Sequence, residues 1–272
     1  MKKRATPRTA MRHAKEGPII RAPIRDGYVL IGSDGHYWDA GRAATAHRAF
    51  VRFASLLKPR IVIYNGDALD GASIGRHPKI GWEDQPALAK EMAAVKVRLR
   101  EIVKAAPRKA RLIWTLGNHD ARFNTRLANL VPEFRGVHGT RLVHHFPEWE
   151  PAWLCEVGGK RGAIVKHRFT GGTHAPHVNA MRAGRTIITG HTHALKITPY
   201  TDYQGTRYGV DCGTLADVNG PQFLYSEKNP SNHRAGFTVL QWRAGKMLPP
   251  EIVEVVSEAK GLVFWRGTLL KV

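Results

Sequence analysis

The feature that most constrains this 272-residue chain is a repeated one: a short apolar run that stops on a carboxylate, a carboxamide or an imidazole. It occurs in GYVLIGSDGH (27–36), RIVIYNGD (60–67), ARLIWTLGNHD (110–120), GAIVKHR (162–168) and RTIITGHTH (185–193). RYGVDCGT (207–214) and GFTVLQW (236–242) are further runs of the same length. Four to six apolar residues without alternation predict strands buried on both faces. A chain with this many such strands has to sandwich them between other layers.

Helical periodicity fills the gaps between the first three runs. From about Arg42 to Leu57, Ala46, Phe50, Phe53 and Leu57 fall on one face. In PALAKEMAAVKVRLREIVKAA (86–106), Leu88, Met92, Val95, Leu99 and Ile102 do the same, with Lys90, Lys96, Arg100 and Lys104 opposite. Strand–helix alternation followed mainly by strands predicts a layered α/β fold with a mixed central sheet. The segment from Ala244 onward reads as extra strands on the edge of that sheet. With no internal repeat or low-complexity linker, residues 26–272 are expected to form one domain.

Residues 1–25 carry eight Lys/Arg, three Pro and a single acid, Glu16, which predicts a mostly flexible basic arm. Over the whole chain, 42 Lys+Arg against 22 Asp+Glu give a net charge of +20. Such a field attracts polyanions, above all nucleic acid, although a merely solvated surface would carry it too. No run approaches the ~20 apolar residues of a membrane-spanning helix, so no membrane partner is expected. Two cysteines, Cys155 and Cys212, lie inside apolar strand-like segments. They fit buried thiols in a reducing cytoplasm rather than a disulfide framework.

Ligand sites in α/β sheets form beyond the carboxyl ends of the strands, so the polar run-ends should converge there. Crowded carboxylates and imidazoles repel or lose solvation unless a cation joins them. Carboxylate, carboxamide and imidazole without thiolate suit Mn²⁺, Fe²⁺, Zn²⁺ or Ni²⁺, with Mn²⁺ first, and exclude a structural zinc knuckle. Seven candidate ligands exceed one four-coordinate ion and suit two ions sharing a carboxylate. Two metals about 3.5–4 Å apart are a common clamp for phosphate-ester hydrolysis.

The sequence resembles the calcineurin-like metallophosphoesterases at Asp34-Gly35-His36, Gly66-Asp67-Ala68-Leu69-Asp70, Gly117-Asn118-His119-Asp120 and Gly190-His191-Thr192-His193. The nearest look-alikes are stand-alone phosphoesterases of bacteria and bacteriophages. The resemblance implies a four-layer α/β/β/α sandwich with a dinuclear site at one edge. It assigns Asp34, His36, Asp67 and His193 to one metal, with Asp67 bridging, and Asn118, His167 and His191 to the other. It makes His119 the acid that protonates the leaving oxygen, oriented by Asp120, and has Asp70 fix the loop that presents Asp67. The family usually has Gly after the fifth-strand histidine, whereas Arg168 follows His167 here, so His174 competes with His167 for that place.

Arg122, Arg76, His77 and His174 are candidate grips on a substrate phosphate, while surface salt bridges are an equal reading of the arginines. The implied reaction is hydrolysis of a phosphodiester by a metal-bound hydroxide, on a nucleic-acid or nucleotide substrate. A phosphomonoesterase acting on nucleotides or nucleic-acid ends is the alternative. Gly71 after Asp70 and Asp120 after His119 depart from the protein Ser/Thr phosphatase pattern and rank that activity low. A non-catalytic nucleic-acid-binding module would have lost ligands, and none is lost. Oligomeric state is left open.

Overall fold

The computed structural model describes residues 19–75, 84–227 and 229–272; Arg76, His77 and the first eighteen residues of the expected arm lie outside them. Among the described residues no helix is long and apolar enough to cross a membrane.

Among the described residues, fifteen strands form two mixed sheets. The larger sheet runs β15(Thr268–Lys271)-β14(Leu262–Trp265)-β13(Glu251–Ser257)-β11(Gly236–Arg243)-β2(Gly27–Gly32)-β3(Ile61–Tyr64)-β4(Arg111–Thr115)-β5(Glu150–Ala152), with β12(Lys246–Met247) paired to β11. The smaller runs β1(Ile19–Ala22)-β6(Leu154–Val157)-β7(Ala163–Val165)-β8(Thr186–Thr189)-β10(Gly205–Asp211)-β9(Lys196–Asp202). The segment after Ala244 thus extends the larger sheet outward from β11. β1 corrects the boundary of the basic arm: Ile19–Ala22 pair in parallel with Leu154–Val157 instead of running free. Ile20 and Ala22 point into the core, and that burial holds the segment.

Strand periodicity divides each central strand between two cores. Val29, Ile31, Ile61, Ile63 and Ile113 meet Cys155, Val157, Val165, Ile188 and Val210 between the sheets. Leu30, Val62, Tyr64 and Trp114 face the other way, onto α1(Thr45–Leu57) and α2(Leu88–Ala105). The predicted stripes supply that interface: Phe50, Phe53, Met92, Val95, Leu99 and Ile102 are buried, while Lys90, Lys96, Arg100 and Lys104 are exposed. α4(Ala175–Ala183) covers the smaller sheet from outside through Ala175 and Ala180. The layers are therefore α/β/β/α, as expected. Both cysteines are buried and unpaired.

Phe50, Phe53 and Phe237 pack edge-on at 5.2–5.3 Å, joining α1 to β11. Phe237 is fully buried, so Phe237→Ala leaves a cavity and is expected to cost about 3–5 kcal/mol, read as a lower urea midpoint at unchanged slope.

Candidate metal centre

β2, β3 and β4 are parallel neighbours in one sheet, and β7 and β8 in the other. Their carboxyl ends meet at one edge of the sandwich. The turns leaving them are locked to one another by the backbone: Asp34 N–H donates to Gly66 O (2.9 Å), His36 N–H to Asp67 O (3.0 Å) and Gly190 N–H to His167 O (2.9 Å). His191 N–H reaches across to Asp34 Oδ2 at 3.0 Å and so ties the two sheets together at the site.

These turns are bent in an uncommon way. Asp34, His36, Asp67, His191 and His193 all have positive φ, between 40° and 75°. Non-glycine residues enter this left-handed region rarely, at a cost of order 1–3 kcal/mol each, and it aims their side chains off the strand direction. Two glycines make room. A Cβ at Gly117 would fall 2.0 Å from Asp67 Oδ1, and one at Gly66 (φ 86°) would fall 2.4 Å from the His167 ring.

Among the described residues the side chains converge in three groups that could hold a metal: Asp34, His36 and His193; Asp67, His167 and His191; and His36, Asp70 and His119. Asp34 Oδ1 lies 3.1 Å from His193 Nε2, 3.7 Å from His36 Nε2 and 3.9 Å from His167 Nε2. Asp67 Oδ2 lies 2.9 Å from His167 Nε2. Asn118 follows β4, with its Oδ1 buried and unpartnered. His167 is buried in this group, whereas His174 is exposed at the start of α4, away from it.

Hydrogen bonds decide which imidazole atoms are available. His36 Nδ1 donates to Asp70 Oδ1 (2.9 Å) and His167 Nδ1 to Asn65 O (2.7 Å), which leaves both Nε2 atoms pointing inward. Among the described residues, the buried side-chain atoms without a hydrogen-bond partner include His36 Nε2, His167 Nε2, His193 Nδ1 and Asn118 Oδ1. A buried polar atom left unpaired costs about 1–3 kcal/mol, and a divalent ion would satisfy His36 Nε2 and Asn118 Oδ1, while His167 Nε2 and His193 Nε2 already face the Asp67 and Asp34 carboxylates at 2.9 and 3.1 Å. The donor set fits the ions expected from the sequence.

The charges are strongly coupled. Burial alone would raise the Asp34 and Asp67 carboxyls, yet the facing imidazoles, His167 foremost, hold both well below the usual carboxylate range. Burial likewise disfavours the His167 cation, but Asp67 and Asp34 outweigh it and push His167 up to about 10. His36 is raised in the same way, against burial, by Asp34 and Asp70. His191 goes the other way, to about 4, through burial and the nearby charge of His167.

The surrounding residues depart from expectation in one respect. Asp120 does not orient the His119 ring. Its carboxylate accepts backbone N–H groups from Asp67, Ala68, Leu69 and Gly117, and the Trp114 indole N–H, at 2.8–3.1 Å. Sitting first in α3(Asp120–Leu130), below the Asp67 turn, it cannot also face the imidazole. Burial and Asp67 push its carboxyl upward, while those N–H groups favour the charged form. Asp70 does the orienting: its carboxylate holds His36 Nδ1, Trp38 Nε1 (2.9 Å) and His119 Nδ1 (3.0 Å). His119 Nε2 faces Arg122 Nη2 at 3.2 Å, and Arg122 Nη1 donates to Asp70 O.

The sequence reading passed over Asp211, which accepts bonds from the Thr192 hydroxyl and from Gly213 N–H and so braces the 190–193 turn. It ends an apolar run like the other acids, so its signal was present. Phe223 and His233 were also missed. The Phe223 ring lies 5.2 Å from His193 and 5.9 Å from His36, and His233 lies 4.7 Å from His193. Both sit in a 217–235 segment without periodicity.

No family model matches the sequence. The chain is 25% identical over 233 residues to the Gene 54 protein of Mycobacterium phage D29, covering 77% of this chain and 87% of that protein. It is 28% identical over 160 residues to the Gene 54 protein of Mycobacterium phage L5, covering 52% of this chain and 60% of that protein. Among solved structures it is similar to Vps29 of Cryptosporidium parvum (TM-score 0.47, 11% identity, 92% of this chain and 100% of that one). It is also similar to the E. coli phosphoesterase Yfce (TM-score 0.36, 14% identity, 82% and 97%) and to the Pseudomonas putida nuclease MPE (TM-score 0.31, 14% identity, 81% and 86%). At these TM-scores the overlays are loose.

With His36 raised and His167 pushed up to about 10, a protonated imidazole there must lose its proton to become a ligand. Loading should therefore release protons near pH 7, and apparent affinity should rise with pH. Calorimetry of Mn²⁺ binding in buffers of different ionisation enthalpy measures this; no proton release would contradict the assignment. Asp120→Asn turns an acceptor into a donor facing N–H groups and should weaken metal binding about 10- to 100-fold, checked by metal titration of the folded variant.

Proposed function

We propose that this chain is a metal-dependent phosphoesterase of the calcineurin-like kind, acting on phosphodiesters of nucleic acid or nucleotides. The observation that carries the reading is the buried cluster of His36, His167, His193 and Asn118 around the Asp34 and Asp67 carboxylates, in which His36 Nε2 and Asn118 Oδ1 have no hydrogen-bond partner. Asp34, His36 and His193 would hold one ion, Asn118, His167 and His191 the other, with Asp67 between them. Two such ions supply Lewis-acid activation of water and neutralise charge on the phosphate.

The chain's own groups supply the rest. The Asp70 carbonyl (2.8 Å) and carboxylate (3.0 Å) both approach His119 Nδ1, so the ring proton of the neutral form sits there. Nε2 is then the atom that passes a proton to the leaving oxygen, and the Asp70 carboxylate offsets the charge of the imidazolium. Arg122, half-buried beside Nε2, is placed to donate to a phosphate oxygen.

Two features favour a polyanionic substrate. The net charge is +20. Two residues beyond His167 the exposed Phe169 ring carries Arg182 at 5.2 Å and Lys166 at 5.4 Å, with exposed Arg168 beside it. Aromatic rings among cations are how single-stranded nucleic acid is commonly gripped.

The test is hydrolysis of bis-p-nitrophenyl phosphate with and without Mn²⁺. Activity should require the metal, and Asp67→Asn should abolish it. His119→Gln should lower turnover by about 10²–10⁴ at unchanged metal content, less for good leaving groups than for alkyl ones. Hydrolysis that survives chelation, or Asp67→Asn at wild-type rate, would overturn the reading.

A further inference from the structure

The segment Pro221–Ser226 and the turn at His233 build an aromatic wall against one side of the metal centre. Arg234 N–H donates to His193 O at 2.8 Å, and this bond sets the neighbouring His233 ring against the His193 ring. Phe223 is buried and packs on His36, His193 and His233. Tyr225 completes the wall, 6.2 Å from Phe223 and 6.4 Å from His233.

Phe223 is committed to packing, but Tyr225 is not: it is 56% exposed, next to Leu224 at 52%. Tyr225 stands one ring away from a proposed metal ligand, with His233 between it and His193.

We infer that Tyr225, backed by Phe223 and His233, is the platform on which the planar base of a nucleotide substrate stacks while its phosphate lies at the metal centre. This rests on the phosphodiesterase reading above and names the group the site would select. A flat, exposed π-face beside a phosphate site has use for a planar substituent, and every nucleobase offers one whatever its sequence. A sugar or alkyl arm would gain little from it. Pro221 and Gln222, in the same segment, line a cavity of about 390 Å³ that extends to His36 and Trp38. A second ester arm therefore has space of its own.

Two esters with the same leaving group separate the platform from the chemistry: thymidine 5′-(p-nitrophenyl phosphate) and methyl p-nitrophenyl phosphate, both assayed with Mn²⁺. The wild type should favour the thymidyl ester in kcat/KM, mainly through KM. Tyr225→Ala should remove roughly 5- to 100-fold of that preference, the range of a lost stacking contact, and leave the methyl ester unchanged. Tyr225→Phe keeps the ring and should keep the preference. A wild type indifferent to the base, an equal loss on both esters, or a loss in Tyr225→Phe as large as in Tyr225→Ala would overturn the platform. Binding is measured separately, by calorimetry in Mn²⁺, with the carbon-bridged phosphonate analogue of thymidine 5′-phosphate and with methylphosphonate, neither of which has an ester to cleave. A base preference that Tyr225→Ala abolishes, without hydrolysis of either ester, would uphold the platform and sink the phosphodiesterase. Hydrolysis of both esters without base preference in rate or binding would do the reverse.

Discussion

Burying carboxylates among imidazoles at one edge of a sandwich is the constraint from which the rest of this structure follows. Asp34 and Asp67 are wholly excluded from solvent, and desolvation alone would neutralise them. They remain charged because His36, His167 and His193 surround them. The imidazoles in turn have atoms that no protein group satisfies. A protein that needed only stability would fill such a space with apolar side chains. This arrangement makes sense as a cradle for positive charge that arrives from outside.

Holding that cradle open takes a second set of interactions around and beneath the ligands. Asp120 gathers four backbone N–H groups and an indole N–H, and thereby fixes the turn that carries Asp67. Asp211 does the same for the 190–193 turn, and Asp70 for His36 and His119. The left-handed conformations of five predicted ligands are the backbone's share of the cost. They persist because each strained turn is bonded to another turn rather than to solvent. The sheets beneath, with interlocked apolar faces, provide a rigid base for those turns.

The aromatic wall adds a direction to the site. His119, the proposed proton donor, and Arg122 are tied to the β3 and β4 turns through Asp70, whereas Phe223, Tyr225 and His233 come from a long excursion between β10 and β11. The proposed chemistry and the proposed recognition are thus drawn from different parts of the chain, joined where Arg234 N–H bonds to His193 O and Phe223 packs on His36 and His193.

How much of this was legible in the sequence differs from residue to residue, for physical reasons. The strands of the central sheets, the apolar stripes of α1 and α2, and the candidate ligands Asp34, His36, Asp67, Asn118, His191 and His193 could be read from the chain. Strand burial and helix periodicity are local patterns, and a ligand at a strand end sits a fixed few residues past an apolar run. His167 could be preferred over His174 on the same ground, but only the packing shows His174 exposed outside the site. The roles of Asp70 and Asp120 were exchanged in part, because adjacency in sequence says nothing about which way a carboxylate at a helix start turns. β1 was lost to the composition of its neighbourhood, since a basic, proline-containing segment hides two inward apolar residues that only a partner strand makes meaningful. Phe223, Tyr225 and His233 left no local trace at all. They meet the site through long-range contacts, among them the backbone bond from Arg234 to His193 and the packing of Phe223 on His36 and His193, and contacts of that kind belong to the tertiary structure alone.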